Sequence, residues 1–268
     1  MFRINKNIIA VLVVSCVLLP IAAQAQTTAN TDAPLLMAAG SLRDAMNDMM
    51  RAYMAQGGAQ FIVQYGPSGK LWQEIEAGKR ADVFASADVK HTEALASAKL
   101  LGASTVFAHN DLCVIAQPQL DLSENNLIQK LLASSVRVAA STPVSDPMGD
   151  YTWEFFRNAD KQQPGAYVAL DKKALKLSGA TAPKPGEKLP YVTAFENNKT
   201  DAYVMYCTNA ATTKESLPHL LIVHIPSKLN VRSAYGIAAH STSKKGEQFV
   251  RFVLSVEGQN ILKKYGFN

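Results

Sequence analysis

The chain has 268 residues, 48% of them hydrophobic and 18% charged, and its 27 Lys and Arg against 22 Asp and Glu leave a formal charge of +5. That excludes a disordered chain, which pairs low hydrophobicity with high net charge, and leaves room for one large domain or two modest ones. The pI near 9.0 comes from basic residues spread thinly, without the cluster a nucleic-acid surface needs, so no nucleic-acid partner is expected.

Residues 1–25 read as an export signal. Arg3 and Lys6 form a basic start, Ile8 to Ala23 is uncharged and nearly all apolar, and Ala23-Gln24-Ala25 places small residues where a signal peptidase cuts. The apolar stretch is shorter than the ~20 residues that span a bilayer, and Pro20 interrupts it, which disfavours a membrane anchor. The mature chain, beginning near Gln26, is therefore expected in the periplasm. Losing Arg3 and Lys6 lowers its charge to +3, and it keeps two cysteines, Cys113 and Cys207. Two alternatives stand for them in an oxidising compartment, one disulfide or two buried thiols. With no CxxC and no His pair at ligand spacing, no structural zinc site is expected.

In chain order, Leu35 to Ala39 reads as a strand that ends at Gly40-Ser41. Leu42, Ala45, Met46, Met49, Met50 and Tyr53 then recur at helical spacing. Ser41 is placed as the N-cap of that helix, with Asp44 completing a capping box. Phe61 to Tyr65 is a second strand, ending at Gly66-Pro67-Ser68-Gly69 before a helix carrying Leu71, Trp72 and Ile75. Val83 to Ala85 is a third, followed by a helix from about Val89 to Ala98. Strand, cap and helix three times over argue for a parallel sheet with helices on its faces, in which ligands gather beyond the carboxyl ends of the strands. Further on, Leu112 to Ala116 and Val136 to Ala140 read as strands with a helix from Asn125 to Ala133 between them. Helical patterning from Tyr151 to Asn158 gives way to a loop rich in Pro, Gly and Lys, Leu177 to Pro190. A helix at Tyr191 to Asn197, strands at Ala202 to Cys207 and Ser233 to Ala239, and helices at Lys244 to Leu254 and in EGQNILKKYGFN complete the chain.

The residues that bear on chemistry are hydroxyls at helix starts. Ser41 and Ser68 each end a strand and begin a helix, so both hydroxyls point, with unpaired backbone N–H groups, into one crevice and form a site for a small anion. The alternative is that each serine only caps its own helix. A serine hydrolase using the same crevice is a remote alternative, because neither serine lies in G-x-S-x-G and no His and Asp are placed to serve it.

The blocks AAGSLRDAM, YGPSGKLWQEIEAGKRADVFASAD, SDPMGDYTW, DAYVMYCTNA and EGQNILKKYGFN, in this order and over nearly all of the mature chain, resemble the periplasmic molybdate-binding proteins of ABC importers. The resemblance implies an α/β, two-lobed type 2 solute-binding protein. Each lobe would be a mixed, mostly parallel sheet flanked by helices, with two crossover strands between the lobes. It divides the chain into residues 26–112 plus 233–268 for lobe 1 and 113–232 for lobe 2. It implies a monomer that binds molybdate, and tungstate with it, for an ABC permease of the inner membrane, with no cofactor and no catalytic residue. Matched motif by motif, Ser41 and Ser68 are oxyanion donors of the first lobe. Tyr206 supplies a hydroxyl from the second, Met148 a backbone N–H, and a further backbone contact falls at Lys188 or Leu189. The molybdenum is held through these residues, with no direct metal-ion ligand.

The chain also departs from the family. Met148 stands where a smaller residue is common, Cys207 replaces a glycine-like position, and the middle loop carries Asp146 and Asp150. A carboxylate facing a bound dianion is repulsive at short range. Either these aspartates point away and cap the helix near Tyr151, or the ligand is a different anion or a metal chelate on the same scaffold.

Overall fold

The computed structural model describes residues 33–184 and 186–268; the export signal expected at 1–25 lies outside them. The first sheet takes β1 (Leu35–Ala39), β2 (Ile62–Gly66), β3 (Val83–Ser86) and β4 (Thr105–Asn110) from the first part of the chain, with helices α1 (Arg43–Ala55), α2 (Ser68–Glu76) and α3 (Val89–Ser97) between them. The second takes β5 (Leu112–Ala116), β6 (Val138–Ser141), β7 (Leu175–Ser178), β8 (Ala202–Tyr206) and β9 (Leu221–His224). Among them run α4 (Leu127–Leu132), α5 (Pro147–Gln162), α6 (Ala166–Lys173), α7 (Pro190–Glu196) and α8 (Cys207–Ser216). The chain then returns to the first sheet as β10 (Ser233–Ala239) and ends in α9 (Lys244–Val253) and α10 (Val256–Lys264).

Both sheets have five strands, in the orders β2-β1-β3-β10-β4 and β7-β6-β8-β5-β9. In the first, β2, β1 and β3 run parallel and β10 is antiparallel to β3 and β4. In the second, β7, β6 and β8 run parallel and β5 is antiparallel to β8 and β9. The chain crosses between sheets at Asp111 and again between β9 and β10. This is the mixed, two-lobed α/β architecture that the sequence implies.

Sheets covered on both faces have strands that are apolar throughout, and β1, β5, β8 and all of β3 but its last residue, Ser86, read that way. Successive residues alternate between faces. Leu36 and Val83 join Met46, Met49, Tyr53 and Phe249 on one side, while Met37 and Phe84 meet Leu71, Ile75 and Leu95 on the other. Tyr53 and Phe61 pack on Phe249 at ring separations of 5.3 and 5.0 Å, which ties the last helices to the first sheet.

The capping box expected at Ser41 does not form. A 3₁₀ turn over Gly40–Leu42 intervenes, α1 starts at Arg43, and neither helical segment has a side-chain cap. Ser41 thus sits inside the turn, with its hydroxyl hydrogen-bonded to Tyr235 instead of capping a helix.

Candidate functional site

One pocket is walled by the carboxyl ends of the parallel strands of both sheets. Ala39 to Ser41 follow β1, Gly66 to Ser68 follow β2, and Ala87 follows β3. From the other sheet come Asp146 and Met148 after β6, Ser178 and Gly179 at β7, and Tyr206 and Asn209 at β8. A cavity of about 70 Å³ there exceeds several-fold the ~10–15 Å³ that one water needs. It adjoins a wider space of about 310 Å³ that shares Ser41, Arg43, Leu189, Tyr191 and Asn209.

On the first wall, the two serines are free of capping duty. Ser68 is the first residue of α2, 1% exposed, and α2 has no side-chain cap. Its Oγ accepts the Ala87 N–H at 3.0 Å, which leaves its own proton to donate. Ser41 Oγ and the Tyr235 hydroxyl are hydrogen-bonded at 3.0 Å, and Asn110 Nδ2 donates to that tyrosine at 3.3 Å. Asn110 donates to Tyr235, and either hydroxyl of the Tyr235–Ser41 pair can donate to the other, so Ser41 has a proton for the pocket when Tyr235 is the donor. The pocket wall, among the described residues, contains no histidine to serve a serine nucleophile.

The second wall is more committed to itself. Tyr206 ends β8 fully buried, and its hydroxyl has no hydrogen-bond partner among the described residues. Burial is the largest influence on that phenol and holds its pKa well above the ordinary value, so it stays a neutral donor. The Met148 N–H, expected as an open oxyanion donor, is instead engaged. It donates to Asp146 Oδ1 at 3.2 Å, because Asp146 is the N-cap of α5. The Met148 sulfur accepts the Tyr206 N–H at 3.3 Å.

Asp146 both caps its helix and lines the pocket. Its Oδ2 accepts the Ser141 hydroxyl at 2.5 Å. Asp146 is only partly exposed, and burial raises its pKa most. The Ser141 and Met148 donors oppose that shift and Asp150 adds to it. Gly179 allows the arrangement: its φ is +81°, and a Cβ there would fall 2.0 Å from Ser141 Oγ and 2.7 Å from Asp146 Cβ. Asp150 is absent from the pocket wall and accepts the Val144 N–H at 2.8 Å. Of the two aspartates, one points away as the capping alternative requires and the other does not.

The wall position left open between Lys188 and Leu189 falls on Leu189. Lys188 is exposed, with its Nζ 2.6 Å from Glu196 Oε1, because α7 starts at Pro190 and its cap residue Leu189 is the one turned inward. Arg43, Tyr191 and Asn209 also line the wall, and the sequence reading gives none of them a binding role. Arg43 lies with its guanidinium 4.5 Å from the Tyr65 ring centroid. Asn209 donates to the Tyr191 hydroxyl at 2.7 Å, and burial pushes that phenol up to about 12. Arg43 and Asn209 follow Ser41 and Tyr206 by two and three residues, so extending each strand-to-helix turn would have found them.

A family model described as a bacterial extracellular solute-binding protein matches residues 34–268. The chain belongs to that family. Among curated relatives, the uncharacterized protein PM1146 of Pasteurella multocida is 31% identical, over 87% of this chain and 97% of its own. The molybdate-binding protein ModA of Escherichia coli is 25% identical, over 87% of each. Among solved structures, the periplasmic molybdate-binding protein of Azotobacter vinelandii superposes with a TM-score of 0.70 at 17% identity, covering 88% of this chain and 98% of its own. That last likeness establishes the shared fold.

Proposed function

We propose that this solute-binding protein captures a tetrahedral oxyanion, molybdate or tungstate, outside the cytoplasm and passes it to an ABC permease, acting as a monomer without turnover. The observation that carries the reading is the convergence of Ser41, Ser68 and the unpartnered Tyr206 hydroxyl on one pocket from both sheets. Fixed neutral donors and helix N-termini can hold a dianion while selecting it by size. Calorimetric titration of the mature chain with molybdate and tungstate tests this, together with elemental analysis of the protein as purified. Saturable one-to-one binding and countable Mo or W are expected. Silence with both anions removes the ligand assignment.

Asp146 favours a second reading. At an effective dielectric of 20, unit charges 4 Å apart interact by about 4 kcal/mol, more than the roughly 1–3 kcal/mol that one hydrogen bond to a charged group contributes. An ionised Asp146 would thus offset one or more of the hydroxyl donors. A ligand that brings its own proton, such as a phosphate monoester, or a cation, as in a metal chelate, avoids that cost. Titration with a phosphate monoester beside molybdate separates the readings. Tighter binding of the monoester supports the second, and tighter binding of molybdate the first.

A further inference from the structure

Away from the pocket, three metal-ligating side chains meet on β5 and its neighbours. Cys113 on β5 lies in register opposite His224 on β9. Cys207 opens α8 immediately after β8 and is joined to Cys113 by a disulfide, with Cα atoms 4.8 Å apart. His224 Nδ1 lies 3.4 Å from Cys113 Sγ and 4.0 Å from Cys207 Sγ, and the three donor atoms fall within 4.8 Å of one another. Cys113 is buried, Cys207 half-buried and His224 exposed, so the cluster opens to solvent on the histidine side. None of the three lines the pocket.

While the S–S bond stands, the sulfurs are not available as thiolates. Two equivalents of a thiol break it, leaving as their own disulfide and placing one S–H on each cysteine. The backbone around the cluster is fixed. Cys113 is held by β8 and β9 on both sides, and the Cys207 N–H donates to the Asp111 carbonyl at 2.9 Å. The sulfurs can therefore part only by side-chain rotation. Tetrahedral bonds of about 2.0–2.3 Å to nitrogen and sulfur require donors about 3.5–3.8 Å apart, and the observed nitrogen-to-sulfur distances bracket that spacing. Cys207 is the first residue of a helix, where the dipole favours the thiolate that a metal needs. Two thiolates and an imidazole form a soft donor set suited to Zn²⁺ or Cu⁺ rather than to Mg²⁺ or Ca²⁺.

We propose that the dithiol form of this chain binds one thiophilic cation, Zn²⁺ or Cu⁺, through Cys113 Sγ, Cys207 Sγ and His224 Nδ1, and that forming the disulfide abolishes the site. Two thiol protons leave as the cation enters, and a solvent molecule can complete the coordination. Metal and disulfide are then alternative clasps on the start of α8, one residue from Tyr206. Sequence spacing hides the cluster because its members come from three elements far apart in the chain.

The test uses the mature protein reduced by a phosphine under anaerobic conditions and titrated with Zn²⁺ against a chromophoric chelator. One equivalent is expected to bind to the reduced protein and none to the oxidised protein. Substituting Co²⁺ should give thiolate-to-metal charge-transfer absorption in the reduced form alone. His224→Ala should weaken Zn²⁺ binding by about tenfold or more, since losing even a hydrogen-bond partner of a ligand costs 10–100-fold. Circular dichroism first verifies that the reduced chain is folded. Folded, reduced protein that takes up no more Zn²⁺ than the oxidised form overturns the proposal, as does equal affinity in His224→Ala. Oxidised wild type is the control whether or not cysteine variants fold.

Discussion

The two walls of the pocket are built from the same local device, a parallel strand running into a helix, yet they offer a ligand opposite things. On the first wall the serines at the turns cap nothing, and Ser68, whose oxygen accepts the Ala87 N–H, keeps its hydroxyl proton to give. On the second, the N–H at the start of α5 is already taken by Asp146, and a carboxylate stands beside the pocket in its place. Tyr206 alone among that wall's expected contacts has a side-chain donor without a partner among the described residues. Affinity for an anion should then come chiefly from the first wall, and discrimination by charge and proton from the second.

Removing first-wall donors should have the largest effect. Ser41→Ala and Ser68→Ala are each expected to weaken oxyanion binding by roughly 1–3 kcal/mol, the range for hydrogen bonds to charged groups. The double variant should lose most of the measurable heat in a titration. Wild-type affinity in both single variants would instead put the binding donors on the second wall.

Next comes the contact between the walls. Gly69 lies in the first turn of α2, where a Cβ would sit 2.2 Å from the Val144 carbonyl oxygen and 2.8 Å from that of Ser145. Its φ is not positive, so the close approach of the other wall, not local backbone geometry, is what requires glycine. Gly69→Ala should cost about 1–3 kcal/mol of affinity, as an overpacked contact does, or about 5- to 150-fold. Because the contact is present without a ligand, thermal melting of the unliganded variant should fall as well. A variant that binds normally would mean that the solute does not need this approach of the walls.

Asp146 sharpens the comparison through pH. Its pKa in the folded chain is raised, chiefly by burial, so its stabilising contribution is complete below the unfolded carboxylate pKa and is lost as pH rises through the folded value. A bound dianion raises that pKa further, so binding takes up a proton, and dianion affinity should fall by up to about tenfold per pH unit above the unliganded pKa. Asp146→Asn keeps an N-cap side chain, and should flatten the pH profile, tighten dianion binding and raise the neutral-pH melting temperature. Calorimetry in buffers of different ionisation enthalpy counts the protons. If Asp146→Asn weakens binding, the carboxylate is accepting a proton from the ligand, and the second reading of the site prevails.

How much of this was legible follows from how local each feature is. The turns at Ser41 and Ser68 are written in short runs of apolar strand, small residue and helix, and they could be read directly, whereas Tyr206 follows only from the family resemblance and the helix after it, α8, was not expected. The role of Asp146 could not. Its spacing announces an N-cap, but its exposure to the pocket depends on β7 bringing Gly179 alongside. The edge strands β7 and β9 have four residues each, too few to show a period. β4 reads TVFAHN, and its polar end is buried only because β10 and the distant Asn268 pair with it. α6 has a weak apolar stripe and is held by α5, through Trp153 Nε1 donating to Asp171 at 2.7 Å. Each of these depends on a partner far away in sequence.

The smallest expected effect concerns the position that motif matching left one residue open. Lys188 carries a positive charge near an anion site, but the resemblance gives Lys188 or Leu189 a backbone contact and no role to the lysine side chain. In the structure it is exposed and paired with Glu196, while Leu189 turns inward. Exposed pairs of this kind contribute about 0–1 kcal/mol and are screened by salt. Lys188→Ala should therefore change affinity by less than about threefold at physiological ionic strength, with any difference vanishing at higher salt. A tenfold loss that persists in high salt would place the lysine side chain on the ligand.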